Sequence, residues 1–535
     1  MATEKKHPTI FDPFALVLNI VTGVIGAIIG MQIVTTLGVT PNTSIIGALV
    51  AMMIARIPVA LFQKYRSVHR QNLVQTSISS ATFGAANSLL IPIGIPFVMG
   101  APELIIPMLI GAALAMFIDA GILYKLFDSK IFPATGTWAP GVATAESILA
   151  GDKGGKRAAL LGVGTLIGLI GSYFKISMSA FGVAFIGNVW ALTMFGIGLM
   201  FRQYSVPWFG IDVNKLYIPH GIMIGAGLVA LIQVSLLIFK KQKDMIKSSA
   251  IGAAATAETP VATTRSMDQA RRALGYGFLA YLAVALIIAL LGGLYTDMSP
   301  GMLIGFLVFA AFAAFVHELI VGIAAMHSGW FPAFAVAFIT LLFGIMLGFP
   351  PEALALLAGF SASTGPAFAD MGYDLKTGYM LRGNGEDAEF ELQGRKQQYI
   401  TGMIAFGVAL LVVLFTYKSY FVQNLVPPID KVYVSTIQAG ASPDIAKQLF
   451  LWAIPGAIVQ FIGGPSRQLG VLFATGLLIL TPNACWAVLA GIAIRLIWTK
   501  VKGKEGETPM TIMAAGFIAG DALYSFFNSV FKLKK

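Results

Sequence analysis

Long apolar runs recur from one end of this 535-residue chain to the other, and no other feature constrains its fold as strongly. A helix needs about 20 mostly apolar residues to cross the hydrocarbon core of a bilayer. Only 11% of the residues are charged, whereas roughly a quarter are charged in a soluble domain. The runs lie near 13–37, 42–63, 73–100, 102–124, 158–174, 176–200, 217–239, 273–296, 300–326, 330–349, 352–370, 399–421, 447–463, 466–481, 483–499 and 510–530. They predict an all-α, polytopic integral membrane protein with about 14–16 transmembrane helices.

A polar, Ala/Thr-rich stretch divides the chain into two halves. Residues 240–272 carry Lys, Arg, Ser, Thr and Ala in place of an apolar run. This composition offers too little apolar surface to order itself, which predicts a mobile cytosolic linker that transport does not require. The predicted organisation is an N-terminal membrane half at 1–239, the linker at 240–272 and a C-terminal membrane half at 273–535.

The distribution of positive charge predicts the orientation of the chain. Lys and Arg concentrate in short connections such as 64–70 (KYRSVHR) and in the linker, whereas 38–41 (GVTP) is uncharged. Cytoplasmic loops of membrane proteins carry this excess of positive residues. We therefore expect a multi-pass protein of the cell (inner) membrane with its N-terminus in the cytoplasm. The net charge of +11 is explained by the same loops and does not indicate nucleic-acid binding.

Several apolar runs contain residues that break helices. Pro, Gly and Ser at membrane depth free backbone N–H and C=O groups, which protein or a water-filled cavity must satisfy. The four such segments are IPIGIP (91–96), FPATGTWAPG (132–141), GFSASTGPAF (359–368) and IPGAIVQFIGGP (454–465). A packing kink explains any one of them. Breaks in both halves, beside polar clusters, favour a central substrate site built from half-helix ends.

The segment 359–379 is expected to be a broken helix that lines this central site. Helix-weak residues surround a Gly-Pro pair at the end of an apolar run. Its hydroxyl residues Ser361, Ser363 and Thr364 are therefore candidate substrate-binding groups.

The sequence lacks the motifs of nucleotide-driven pumps and zinc enzymes. GDKGGKR (151–157) has neither the first Gly nor the hydroxyl residue of a phosphate-binding P-loop. HELIVGIAAMH (317–327) places its second His too far from the first for the zinc motif HExxH. Five His and one Cys suggest no metal site, and no cofactor is expected. Secondary transport is the function class that remains.

Ionisable residues inside apolar runs are costly, so each is a candidate for a functional role. Glu146, Glu318 and Asp370 are candidates for proton coupling, because a carboxylate at membrane depth binds a proton when buried and releases it when hydrated. The other such residues are Asp119, His317 and Asp521. For each acid the structural alternative is a place near a span end or a pairing with a cation, and a lone His more often packs and hydrogen-bonds.

Three segments together resemble the oligopeptide transporter family, including its yellow-stripe-like branch. They are PGVATAESILAG (140–151), which lacks one residue of the family's Pro-x-Gly pattern, FSASTGPAFADMGYDLKTGYMLRG (360–383), which carries an Asp-Leu-Lys-Thr-Gly-Tyr signature, and AAGFIAGDALYSF (514–526). NLVQTSISSATFGA (72–85) and GGPSRQLGVLFATGLLI (463–479) are also similar, so the resemblance runs along nearly the whole chain in the expected order. The NPG and KIPPR motifs of the eukaryotic peptide-transporting branch are absent from this sequence, which resembles a prokaryotic member.

The resemblance implies a proton-coupled symporter that imports small peptides, modified peptides or metal–chelate complexes. Gln75, Thr76 and Lys376 lie in the family-like segments and are further candidates for substrate binding, Lys376 through a substrate carboxylate. Asp374 and Asp521 are expected to hold structure, through Lys376 or through helix termini. Two other classes stay open: an uncoupled channel or uniporter for a small polar solute, and an integral membrane enzyme. The oligomeric state is also open, with a homodimer as one alternative.

Overall fold

The computed structural model describes residues 6–37, 43–153, 155–230, 232–233, 263–329, 333–440, 443–478 and 483–532. Helices dominate these ranges, in which the only extended pairing is an isolated bridge between Phe127 and Phe132. Residues 240–262 of the predicted linker lie outside the described residues. Its last residues, 267–272, begin a long helix, so the helical part of the second half starts earlier than its apolar run.

Each predicted apolar run before the linker contains a helix. The helices are α1 Pro13–Leu37, α2 Thr43–Ala55, α3 Val68–Phe83, α4 Ile91–Met99, α5 Ile105–Leu126, α6 Ala139–Lys153, α7 Gly155–Tyr173, α8 Met178–Ile186, α9 Val189–Phe209 and α10 Ile218–Ala230. The run at 176–200 is divided between α8 and α9. The Asn188 side chain accepts a hydrogen bond from the Ala191 N–H at 3.1 Å and so starts α9 as its N-cap.

The runs after the linker are helical as well. The helices are α11 Met267–Leu291, α12 Leu294–Asp297, α13 Pro300–Ser328, α14 Ala333–Met346, α15 Pro351–Ser363, α16 Pro366–Leu381, α17 Ala388–Val422, α18 Pro428–Ala439, α19 Pro443–Arg467, α20 Leu469–Leu478, α21 Ala484–Lys502 and α22 Glu507–Lys532. Local sequence fixes several starts: Ser266 and Gln269 form a capping box before α11, and Ser299 caps α13 with Pro300 in its first turn.

Over the described residues, seven helical segments are long and apolar enough to cross a membrane. They are Pro13–Thr35, Val68–Met99, Pro102–Leu126, Met267–Leu291, Pro300–His327, Ala388–Val422 and Ala484–Lys502. Shorter apolar helices accompany them, among them α2, α10 and α20. The predicted all-α, polytopic membrane fold is confirmed.

The helix breaks expected from the sequence occur in three of the four segments. The chain is non-helical before α6, it breaks between α15 and α16, and Gly464 interrupts α19 with a φ of 68° and a ψ of 178°. The segment 91–96 differs from the expectation, because the chain stays helical from α3 through a π-helical stretch at Gly84–Leu90 into α4. The wider π turn relieves the backbone just before the prolines of α4, so no break is needed there.

The helix α16 lies at the centre of the fold. It packs against α3, α5, α6, α13 and α17, and its residues are buried from Pro366 to Tyr379. Most of α16 is polar or small, so its burial places two aspartates and a lysine where a soluble core would hold apolar side chains. Buried ionisable residues in a membrane protein are candidates for a functional site, so α16 is the first such candidate here.

Candidate functional site

The break between α15 and α16 forms the centre of the candidate site. Thr364 ends α15 in an extended conformation, and Gly365 has a φ of +94°, which a residue with a side chain rarely adopts. The turn frees the backbone N–H of Gly365 from the helix ladder. This N–H donates a hydrogen bond to Asp119 Oδ2 of α5 at 2.5 Å.

Asp119 belongs to a chain of buried polar groups from three candidate spans. The Tyr281 hydroxyl of α11 lies 2.5 Å from Asp119 Oδ1 and 2.8 Å from Glu318 Oε2 of α13. All three side chains are fully buried. In the described part of the chain, neither acid forms an ion pair with Lys, Arg or His.

This geometry requires a proton on one of the two acids. A phenol carries a single hydrogen and can donate to one carboxylate only. If both acids were ionised, one carboxylate would face the lone pairs of the Tyr281 oxygen, and two negative charges would share a buried site without a cation. A proton on Glu318, donated to the Tyr281 oxygen, completes a continuous chain to Asp119 and Gly365.

The hydroxyl residues predicted to bind substrate lie at the same break. Thr364 Oγ1 donates to the Ser361 carbonyl at 2.9 Å, and Ser363 Oγ donates to the Phe360 carbonyl at 2.7 Å. His317 Nδ1 contacts the Ser361 carbonyl and lies 3.1 Å from Thr364 Oγ1. His317 thus holds the end of α15, in agreement with the structural role expected for a lone His. Substrate binding by the three hydroxyl residues stays a prediction.

A second acidic cluster joins α16 to α3. Ser79 Oγ donates to Asp370 Oδ1 at 2.6 Å, and Gln75 Nε2 donates to Asp374 Oδ1 at 2.5 Å. Ser80 adds a longer hydrogen bond, 3.3 Å, to Asp374 Oδ2. The two aspartates are fully buried and lie one helical turn apart, on the same face of α16. The neutral hydrogen-bond donors to both of them come from α3.

The expected pairing of Asp374 with Lys376 is wrong. Residues two apart on a helix point in different directions. The Lys376 ammonium instead donates to the Ala134 carbonyl at 2.9 Å and lies 5.5 Å from the centre of the Tyr379 ring. Lys376 therefore ties α16 to the loop before α6.

Thr76 is engaged by a glutamine that the sequence analysis did not single out. Gln398 Nε2 lies 3.2 Å from Thr76 Oγ1 and 2.7 Å from the Asp374 carbonyl, and its Oε1 accepts from Arg382 at 2.7 Å. Gln75 faces α16 and Thr76 faces α17, and their binding to a substrate stays a prediction. Gln398 links the acidic cluster to an ion-pair network at the end of α16.

That network contains two buried arginines and one buried glutamate. Arg382 Nε lies 2.6 Å from Glu391 Oε2, and Arg395 Nη2 lies 3.1 Å from Glu391 Oε1. Arg395 also reaches Asp128 at 3.5 Å and the Thr264 hydroxyl at 2.9 Å. It fastens the residues just before α11 to the loop after α5, so both halves of the chain meet at this point.

His7 lies beside the same network, before the first span. Burial, together with the nearby Arg382 guanidinium, lowers the pKa of His7 from 6.5 to about 3. The imidazole is therefore neutral throughout the physiological pH range, and its titration cannot drive a pH-dependent transport step there.

Two of the acids predicted from the sequence lie away from the break. Glu146 of α6 forms an ion pair with Arg157, with 2.5 Å between Oε2 and Nη2. Asp521 accepts hydrogen bonds from the Ser172 hydroxyl and from the Ser179 N–H in the first turn of α8. Both arrangements correspond to the structural alternatives considered for these acids, a cation partner for Glu146 and a helix terminus for Asp521.

Several polar atoms around the break have no hydrogen-bond partner among the described residues. They are Glu318 Oε1, Asp370 Oδ2, the Tyr373 hydroxyl and the Trp138 indole N–H. Trp138 is fully buried at a left-handed φ of 39°, and its ring lies 6.0 Å from that of Tyr373. A buried polar group without a partner costs about 1–3 kcal/mol, so each of these four atoms is a candidate contact for water or a bound molecule.

Tyr281, Gln398 and Trp138 are site residues that the sequence analysis missed. Tyr281 and Trp138 stand among apolar or small neighbours, where an aromatic residue is usually structural, and Gln398 lies in the polar run GRKQQY (394–399), which is typical of a solvated helix face. Tertiary packing alone places them, with Tyr281 of α11 against α5 and α13, Gln398 of α17 against α16, and Trp138 against Tyr373 of α16. No group of three or more His, Cys, Asp or Glu in the described residues could hold a metal ion.

We expect Gly365→Ala to lower stability and transport together. The new Cβ would lie 2.9 Å from Val321 Cβ and would hold an L-residue at a φ of +94°. Backbone strain of this kind costs about 1–3 kcal/mol. Thermal unfolding of the purified variant measures the effect, with Gly305→Ala of α13, whose Cβ meets nothing within 4 Å, as control. A Gly365→Ala protein as stable as the control would show that the positive φ is not required.

Comparison with known families agrees with this architecture. The family described as OPT oligopeptide transporter protein matches residues 13–209 and 173–532, which include α16, both acidic clusters and the helix break. No curated protein matches the chain significantly. Because the family match extends over nearly the whole sequence, this chain belongs to the OPT oligopeptide transporter family.

Proposed function

We propose that this chain is a secondary active importer of small peptides, modified peptides or metal–chelate complexes, and that proton entry drives it. One observation carries the proposal: the chain of hydrogen bonds from Glu318 through Tyr281 and Asp119 to the N–H of Gly365. It connects a pair of acids that share a proton with the backbone of a broken helix. Secondary transporters bind substrate and coupling ions at discontinuous helices of this kind.

Coupling of transport to protons follows from the one proton that the pair Glu318 and Asp119 must hold when buried. With the pair buried, one proton is held between Glu318 and Asp119, since Tyr281 has one hydrogen for two carboxylates. When water reaches the pair, the ionised form of both acids becomes accessible. With both acids ionised, Glu318 competes with Asp119 for the single hydrogen of Tyr281 and the two negative charges repel each other, which weakens the hydrogen-bond chain to Gly365. The direction in which water reaches the pair therefore decides on which side the proton leaves.

Glu318 is the stronger candidate for the proton-carrying acid. Asp119 accepts hydrogen bonds from Tyr281 and Gly365, which stabilise its ionised form, whereas Glu318 Oε1 has no partner among the described residues. Asp370 ranks next, because one of its oxygens is also unpartnered. Glu146 ranks last, since Arg157 compensates its charge without a proton.

The unpartnered groups near α16 suit a substrate that carries both an ammonium and a carboxylate group, or one that carries several carboxylates. Asp370 Oδ2 can accept from an ammonium group, and the Trp138 N–H and Tyr373 hydroxyl can donate to a carboxylate or a peptide carbonyl. A short peptide offers all three functions, and a metal chelate rich in carboxylates offers the last. The cell-membrane location and cytoplasmic N-terminus inferred from the charge distribution belong to the same proposal.

Uptake into liposomes containing the purified protein tests the function. Labelled di- to tetrapeptides, glutathione and a ferric chelate are offered with the external solution either at the internal pH or more acidic. We expect one of these classes to accumulate only with acid outside, and a protonophore to abolish that accumulation. Equal uptake with and without the pH gradient would identify a uniporter, and no uptake of any class would contradict the proposed substrates.

A further inference from the structure

Two apolar grooves adjoin each other on the surface formed by α2, α6, α7 and α22. The first has a volume of about 450 Å³ and runs along α7, past Gly162 and Leu166. The second has a volume of about 680 Å³ and extends toward Phe527 of α22. Met52 and Arg56 line both grooves, so the two meet at the C-terminal end of α2.

Arg56 places a positive charge at this junction. Its side chain is exposed, donates to the Gly151 carbonyl at 2.8 Å and forms no ion pair with any described residue. Lys153 and Lys156, both exposed, follow at the junction of α6 and α7, with Asp152 as the adjacent carboxylate. Cations therefore outnumber anions around the point where the grooves join.

We propose that this surface binds one anionic phospholipid, with its phosphate at Arg56 and one acyl chain in each groove. A planar guanidinium matches a phosphate group in geometry and charge. The two grooves lead away from the same cation, which is the arrangement that a headgroup with two hydrocarbon tails requires. A site of this kind distinguishes an anionic lipid from a zwitterionic one through the surrounding lysines.

Thermal unfolding in detergent, with added phosphatidylglycerol or phosphatidylcholine, tests the site. Arg56→Gln removes the charge. Gly162→Phe fills the first groove, since a Cβ at Gly162 meets nothing within 4 Å. The matched controls are Lys418→Gln, an exposed cation on α17, and Gly275→Phe, an equally open glycine on α11.

We expect phosphatidylglycerol to raise the Tm of the wild-type protein by a few degrees more than phosphatidylcholine, because a ligand stabilises the state it binds. Arg56→Gln and Gly162→Phe should lose this difference, and both controls should keep it. Inorganic phosphate alone should have no effect.

Three results would overturn the proposal. The first is equal stabilisation of the wild-type protein by the two lipids. The second is an undiminished Tm difference between the two lipids in both Arg56→Gln and Gly162→Phe. The third is a wild-type dimer that Gly162→Phe converts to a monomer, with no Tm difference between the two lipids. The last result would assign the grooves to contact with a second copy of the chain.

Discussion

Substitution of Glu318 by Gln is expected to abolish accumulation of substrate against a gradient while exchange across the membrane persists. Gln keeps the shape and can still donate a hydrogen bond to the Tyr281 oxygen, as a protonated Glu318 would. It cannot release a proton, so substrate movement loses its driving force and concentrations only equalise. Wild-type uptake should fall as the external pH rises, and the residual flux of the variant should be independent of pH.

Two further variants separate proton coupling from structure. Glu146→Gln loses one partner of the ion pair with Arg157, and we expect it to accumulate substrate normally. Tyr281→Phe removes the hydroxyl between the two acids, so we expect weaker coupling with retained substrate binding. His7 offers no alternative explanation of pH dependence, because its pKa of about 3 keeps it neutral in the assay.

The outcome for both glutamates decides the assignment. If Glu318→Gln and Glu146→Gln both accumulate substrate with the wild-type pH dependence, the proposed coupling is wrong. The driving acid would then be sought at Asp370, or transport would not be coupled to protons. If Glu146→Gln alone lost accumulation, the ion pair with Arg157 would have to open during transport.

Glu391→Gln is expected to lower the free energy of unfolding strongly. Glu391 lies between Arg382 and Arg395, at 2.6 Å and 3.1 Å, and all three side chains are buried. Without its charge two guanidinium groups would face each other, and among the described residues Asp128 at 3.5 Å would be the one carboxylate left in an ion pair with Arg395. Breaking a buried ion pair costs about 3–5 kcal/mol.

The control for this substitution lies on the same helix. Glu389 is exposed in the first turn of α17, and Glu389→Gln should change the free energy of unfolding by less than about 0.5 kcal/mol. Thermal unfolding of the purified proteins compares the two. Equal Tm values for the two variants would show that water or lipid headgroups reach Glu391 and screen the arginines.

Much of the fold could be predicted from the sequence because membrane helices are specified locally. Runs of apolar residues must be helical in a bilayer, since only a helix satisfies its own backbone groups there. The break at Gly365 was equally predictable, as Gly-Pro after a run of hydroxyl residues cannot continue a helix. The π-helical stretch before α4 was not, because it depends on how neighbouring helices accommodate two prolines.

The acids show the limit of sequence reasoning most clearly. Glu146 and Glu318 look alike in the sequence, since both lie among small and apolar residues. In the structure one has Arg157 as a partner, and the other shares Tyr281 with Asp119. The partners of Glu318 lie 37 and 199 residues away along the chain, on different helices, so no local pattern reveals them.

The sequence by itself determined that this chain is a helical membrane protein, where its helices run and where its central helix breaks. Each of these depends on residues close together along the chain and on the energy of burying polar backbone in lipid. Tertiary structure alone decided which buried acids share a tyrosine hydroxyl, which acid pairs with a cation and what holds the break. A side-chain hydrogen bond or ion pair needs its two groups within about 3–4 Å, and only the packing of α3, α5, α13 and α17 around α16, and of α11 against α5 and α13, sets those distances.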